Sequence, residues 1–139
     1  MNVENVKQTL VKHEGLRLHM YQDSVGIWTI GVGHNLEDKG ISERVAALML
    51  EDDIEDALTD LQRNINFFDE LPEQAQEALV NLCFNLGIPR LMQFKKTLAF
   101  LKECKWEKAA NELLDSRYAS QVGYRAVEVA QMIRRCASC

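Results

Sequence analysis

The sequence predicts an α+β protein, mostly helical. A small N-terminal lobe carries a β-hairpin or three-stranded sheet, a long helix bridges onward, and a helical C-terminal lobe follows. Three observations carry this. Alternating, β-branched and aromatic residues are confined to residues 17–32. One apolar helical stripe runs unbroken over about 42–62. From Pro72 onward only helical periods occur.

Taken in order, Val3, Val6, Leu10 and Val11 repeat at helical spacing over 3–13, and Gly15 breaks that helix just after Glu14. Strands are expected at 17–21 and 27–32. Leu16, Leu18 and Met20 share one face there, and Trp28, Ile30 and Val32 share another. Asp23-Ser24-Val25-Gly26 between them is turn chemistry, and a third short strand fits 34–36. Ser42 suits the N-cap of the bridging helix, whose stripe is Val45, Leu48, Met49, Asp52, Ile54, Ala57, Leu58 and Leu61. A helix of roughly 20 residues spans about 30 Å, enough to join two lobes.

Residues 64–71 read as a connection, and Pro72 suits the first turn of the next helix, which Gly87 ends near Leu86. A short helical turn at 89–94 and helices at 95–104, 106–114 and 124–135 follow, with 116–123 as a polar joint. The 139 residues thus form a single domain with an N-terminal lobe at about 1–41, a bridging helix at 42–63 and a helical lobe at 72–135. A cleft between such lobes is where a polymer would lie.

Composition narrows the classes. Apolar residues at 47% and charged ones at 27% are ordinary globular values. No apolar run approaches the ~20 residues that span a membrane, and the start has neither a basic region nor an apolar stretch. Synthesis in a cytoplasm, without membrane insertion, is the expectation. The net charge of −5 argues against nucleic acid as a partner. Residues 51–60 form an acidic block, while Arg117, Arg125, Arg134 and Arg135 gather toward the end, so a cationic face is expected on the C-terminal lobe. Cys83 falls in an apolar helical run and reads as a core residue. Cys104 is expected to be partly exposed. Cys136 and Cys139 read as incidental thiols of a frayed tail, since Cys-x-x-Cys has no second ligand pair here. Neither a metal nor a cofactor is expected.

Chemistry concentrates near the N-terminus. Glu14, at a helix end against an apolar hairpin, is a candidate general acid because burial raises a carboxyl pKa. Asp23, at the turn, is expected to be more exposed and to stay ionised. Two carboxyl groups in different environments are the minimum equipment for hydrolysing a glycosidic bond. Singly, each has a plain structural explanation: a surface glutamate, a turn aspartate, and for Thr29 simple β-propensity. Together they form Glu-x8-Asp-x5-Thr-x-Gly-x-Gly-His, six fixed positions from Glu14 to His34.

That segment resembles the active-site segment of the phage-type lysozymes, the T4-type endolysins of glycoside hydrolase family 24. The likeness continues through Asn81-Leu82-Cys83-Phe84-Asn85-Leu86-Gly87, Phe94 to Leu98, Trp106 to Ala110, Ser116-Arg117-Tyr118, Gln121 and Arg125. By resemblance, Glu14 protonates the leaving glycosidic oxygen, and Asp23 and Thr29 orient the attacking water, Asp23 as its base or as an electrostatic stabiliser and Thr29 as its hydrogen-bond partner. Phe84 faces the cleft, Thr97 stands where the family has a cleft serine, and Arg125 reaches the catalytic glutamate. His34 would pair with Asp53 as a brace tying hairpin to helix. Tyr118 stands where a tryptophan is usual, Asn35 and Glu112 depart from the family, and the N-terminal lobe is shortened between Leu36 and Ser42.

The resemblance implies a monomeric hydrolase of the β-1,4 bond between N-acetylmuramic acid and N-acetylglucosamine in peptidoglycan. It further implies host lysis, with release from the cytoplasm through the pore of a separate holin. Two alternatives stand beside it: a non-catalytic wall-binding or interaction module on the same fold, and a hydrolase of chitin-like polymers.

Overall fold

The computed structural model describes residues 1–136. The chain divides into two compact units, residues 1–48 and the chain from Met49 onward. The first unit opens with helix α1 (Val3–Glu14). Asn2 caps it by accepting from the Asn5 amide at 3.1 Å, and Gly15 ends it at φ +78°, its amide donating to the Val11 carbonyl. A residue without Cβ takes that left-handed conformation at little cost.

Three antiparallel strands follow in the order β1 (Arg17–Gln22), β2 (Trp28–Gly31) and β3 (His34–Asn35). Tyr21 opposes Thr29 and Gln22 opposes Trp28, with an irregularity between Arg17 and Tyr21. Those two residues share a face of β1, and the Arg17 guanidinium sits 4.3 Å from the Tyr21 ring centroid. Ile30 opposes His34 across the turn at Val32 and Gly33.

One element is additional to those expected. Helix α2 (Leu36–Lys39) is a single turn capped by Asn35, whose side-chain oxygen accepts from the Asp38 amide at 2.9 Å. Four residues show no period. The Asn35–Asp38 spacing was the only local signal.

Helix α3 (Glu43–Asn64) starts at Ser42, whose hydroxyl accepts from the Val45 amide, and it continues into the second unit. That unit holds the hydrophobic core. Its helices are α4 (Glu73–Leu86), α5 (Ile88–Leu91), α6 (Lys95–Lys102), α7 (Trp106–Leu114), α8 (Arg117–Val122) and α9 (Tyr124–Arg134). Helix α7 packs on α6 and α9, and α4 packs on α9. Ala109 and Ala110 on α7, with Ala126 and Ala130 on α9, are fully buried, so small side chains let ridges and grooves mesh closely. Phe68, Leu79, Leu82, Leu101, Leu113 and Ile133 fill the space between, each contributing roughly 1.5–3 kcal/mol by burial.

Three expectations are corrected here. The connection after α3 contains a 3₁₀ turn (Phe68–Glu70) that places Phe68 in the core. The polar joint at 116–123 is helix α8: Ser116 accepts from the Ala119 amide and donates to the Leu113 carbonyl, ending one helix and starting the next. Cys136 is not a frayed thiol. It packs on the core, its Sγ donates to the Met132 carbonyl, and burial pushes its thiol pKa up. Cys139 lies outside the described residues. Cys83 is buried, with its Sγ directed to the Ala57 carbonyl at 3.9 Å. Among the described residues no helix is long and apolar enough to cross a membrane.

Candidate active site

Within the first unit, the turn between β1 and β2 is organised by Asp23. Its Oδ1 accepts from the amides of Val25 and Ile27, both at 2.9 Å, while its own amide donates to the Ile27 carbonyl at 2.9 Å. An aspartate side chain thereby replaces a backbone acceptor in closing the turn. Asp23 is half-buried, less exposed than its place in a turn suggested. Both amides land on one oxygen, and Oδ2 has no hydrogen bond among the described residues.

Thr29 is the one buried residue of this unit among those described. Its hydroxyl donates to the Ile27 carbonyl at 2.8 Å. With its single proton committed, Thr29 Oγ1 offers only lone pairs to anything else that approaches.

Glu14 is the last residue of α1. The burial expected for it is not found: α1 buries none of its residues, and Glu14 is exposed. Its near neighbour is Gly33, which has no side chain to cover it. His34 Nε2 lies 2.6 Å from the Gly40 carbonyl oxygen. A carbonyl only accepts, so that ring nitrogen carries the proton, and the bond ties β3 to the residue that ends α2.

The remaining predicted residues lie in the second unit. Arg125 on α9 is half-buried and gripped by Asn81 on α4: its Nε donates to the Asn81 side-chain oxygen at 3.0 Å and its Nη2 to the Asn81 carbonyl at 3.2 Å. Arg125, Asn81 and Phe84 line one cavity of about 590 Å3 with apolar walls from Ile54, Leu58 and Val80. Thr97 is buried and lines a separate cavity of about 310 Å3 with Lys96, Glu112 and Asp115. Asp53 borders a third cavity with Asp56, Asp60 and Phe84. Of the expected cationic face, Arg134 is partly neutralised by Glu107 at 3.1 Å and also donates to Asn111. Burial raises the Tyr118 pKa, with Arg125 opposing the shift.

Sequence reading missed Ile27, whose backbone links Asp23 to Thr29, and Asn81 as the partner of Arg125. Backbone roles leave no mark on residue identity. Asn81 did stand inside a recognisable segment, but its partner is 44 positions away. Among the described residues no cluster of His, Cys, Asp and Glu could hold a metal ion.

The hairpin therefore offers a carboxylate with one committed oxygen, a neighbouring hydroxyl that can only accept, and a second carboxyl at the end of α1. Such a set can orient a water and exchange protons with it. The chain belongs to the phage lysozyme family, which it matches over residues 11–137. It is similar to "Probable T4-type lysozyme 1" of Dictyostelium discoideum, at 26% identity over 94% of both chains. Similarity to the "Endolysin" of Salmonella phage P22 is 38% over 56% of this chain and 58% of that one. The chain also resembles the "Pre-baseplate central spike protein Gp5" of Enterobacteria phage T4, at 27% identity across 93% of this chain and 27% of that protein.

Proposed function

We propose that this protein is an endolysin-type lysozyme. It hydrolyses the β-1,4 bond between N-acetylmuramic acid and N-acetylglucosamine in peptidoglycan and so lyses a bacterial host. Glu14 is the general acid that protonates the leaving oxygen. Asp23 is the base that takes a proton from the attacking water through its Oδ2, and Thr29 accepts the water's other O–H. The observation that carries this is the shared anchoring of Asp23 and Thr29 on Ile27, which ties both side chains to one residue of the hairpin. A pair held in this way lowers the entropic cost of orienting the nucleophile.

Phe84, Thr97 and Arg125 are proposed as substrate-binding residues. The polymer partner is peptidoglycan, the working form is a monomer, and a separate holin provides the route from cytoplasm to wall. Family membership and the "Endolysin" name borne by a relative support this reading.

Incubation with purified peptidoglycan tests it. New reducing ends on N-acetylmuramic acid are expected, with no release from chitin oligomers under the same conditions. Reducing ends from chitin alone would reassign the substrate, and binding without cleavage would favour a wall-binding module.

A further inference from the structure

Resting on the reading of Glu14 as the acid, we propose that Gly33 is a positioning residue for the Glu14 carboxyl. A Cβ at position 33 would stand 2.9 Å from Glu14 Oε2, 3.1 Å from its Cδ and 3.2 Å from its Cγ. The conflict runs along the side chain, so turning the terminal carboxyl alone does not relieve it. Oε2 must shift outright, and Cδ and Cγ must give by a few tenths of an ångström, so the carboxyl is displaced from its place.

Gly33 differs in this from the other glycines of its unit. Gly15, Gly26, Gly31 and Gly40 also have positive φ, but a Cβ at any of them would meet nothing within 4 Å. Their glycine answers a backbone requirement only. Gly33, at φ +63°, answers that requirement and also yields the space the acid occupies. A general acid must come within about 2.6–3.2 Å of the oxygen it protonates, and a misplacement of about 1 Å can cost roughly 100-fold in rate. Gly33 acts only through Glu14, so its replacement should lower kcat and leave KM nearly unchanged.

Steady-state kinetics on a soluble peptidoglycan oligosaccharide separates the two requirements. Gly33→Ala adds the Cβ and the backbone strain. Gly33→Asn adds the Cβ at a residue type that tolerates positive φ. Gly31→Ala, at φ +72°, adds strain without the contact. Both Gly33 variants are expected to lose about tenfold or more in kcat, with KM within about twofold, while Gly31→Ala stays near wild type. In a Glu14→Gln background, Gly33→Ala should remove nothing further. A Gly33→Asn enzyme at wild-type kcat would overturn the proposal, as would an equal loss in Gly31→Ala.

Unfolding free energies supply a readout independent of activity. The part of the Gly33→Ala loss that exceeds the Gly31→Ala loss should vanish when Glu14 is truncated to Ala, and its persistence would contradict the contact. A fully active Glu14→Gln enzyme would instead dismiss Glu14 as the acid. An inactive Glu14→Gln beside an active Gly33→Ala would dismiss Gly33 alone.

Discussion

Asp23 and Thr29 share one acceptor: the Ile27 carbonyl takes a hydrogen bond from the Asp23 amide at 2.9 Å and from the Thr29 hydroxyl at 2.8 Å. The Ile27 amide returns a bond to Asp23 Oδ1. Two side chains six positions apart are thereby tied to one residue, and Asp23 Oδ2 takes no hydrogen bond among the described residues.

Asp23 then has two separable roles. Asp23→Asn keeps an oxygen that accepts the Val25 and Ile27 amides, so its stability should stay within about 1 kcal/mol of wild type while activity falls about 100-fold. Asp23→Ala should add a stability loss of about 1–3 kcal/mol, because two turn amides lose their acceptor. Urea unfolding alongside reducing-end release checks both. Asp23→Asn with wild-type activity would remove the base.

Thr29→Val preserves shape and deletes the hydroxyl. The Ile27 carbonyl keeps its bond from the Asp23 amide, so the stability cost should be about 1 kcal/mol. The expected kinetic effect is a fall in kcat that Thr29→Ser largely restores. Equal rates for Val and Ser at this position would deny the hydroxyl a part.

How much of this was legible in the sequence follows from which atoms carry each role. Helix α1 with Gly15, the hairpin, α3 with its Ser42 cap and most of the helices after Pro72 follow from period and punctuation. Helices α2 and α8 escaped because each is too short to show a period, leaving only the caps Asn35 and Ser116 to announce them. The spacing of Glu14, Asp23 and Thr29 marked the candidate site. Its internal wiring was hidden, since it runs through the backbone of Ile27 and the bare Cα of Gly33. The packing of Cys136 on the core leaves no mark in the sequence, because it depends on tertiary neighbours.

Tyr118 offers a test of buried polarity. Its hydroxyl is sealed from solvent with no partner among the described residues. A buried donor without an acceptor costs about 1–3 kcal/mol, so Tyr118→Phe should be neutral or stabilising. A loss beyond about 1 kcal/mol would reveal a bond to the hydroxyl.

Alkaline stability should decline. Burial raises the pKa of Cys83, Tyr118 and Cys136 above the unfolded values of 9.0 for the thiols and 10.0 for the phenol. Above those values the unfolded chain releases protons that the folded chain retains. The stabilisation present below about pH 9 is therefore lost as pH rises through the folded values. Denaturation midpoints from pH 7 to 11 should fall, and less steeply in Cys83→Ala. A flat profile would show that these groups titrate normally.

His34→Asn removes the bond to Gly40 and should lower unfolding free energy by about 1 kcal/mol. The His34–Asp53 ion pair implied by the resemblance predicts a further coupling with Asp53→Asn in a double-mutant cycle. Strict additivity of the two changes would dismiss the pair.

The assignment of Glu14 is tested most directly by release of reducing sugar from purified peptidoglycan, comparing wild type with Glu14→Gln at matched unfolding free energy. Glutamine keeps the size of the side chain and cannot deliver the proton, so activity should fall by about 10²–10⁴-fold. Equal release by the two proteins would contradict Glu14 as the acid, and release by neither would contradict the hydrolase itself.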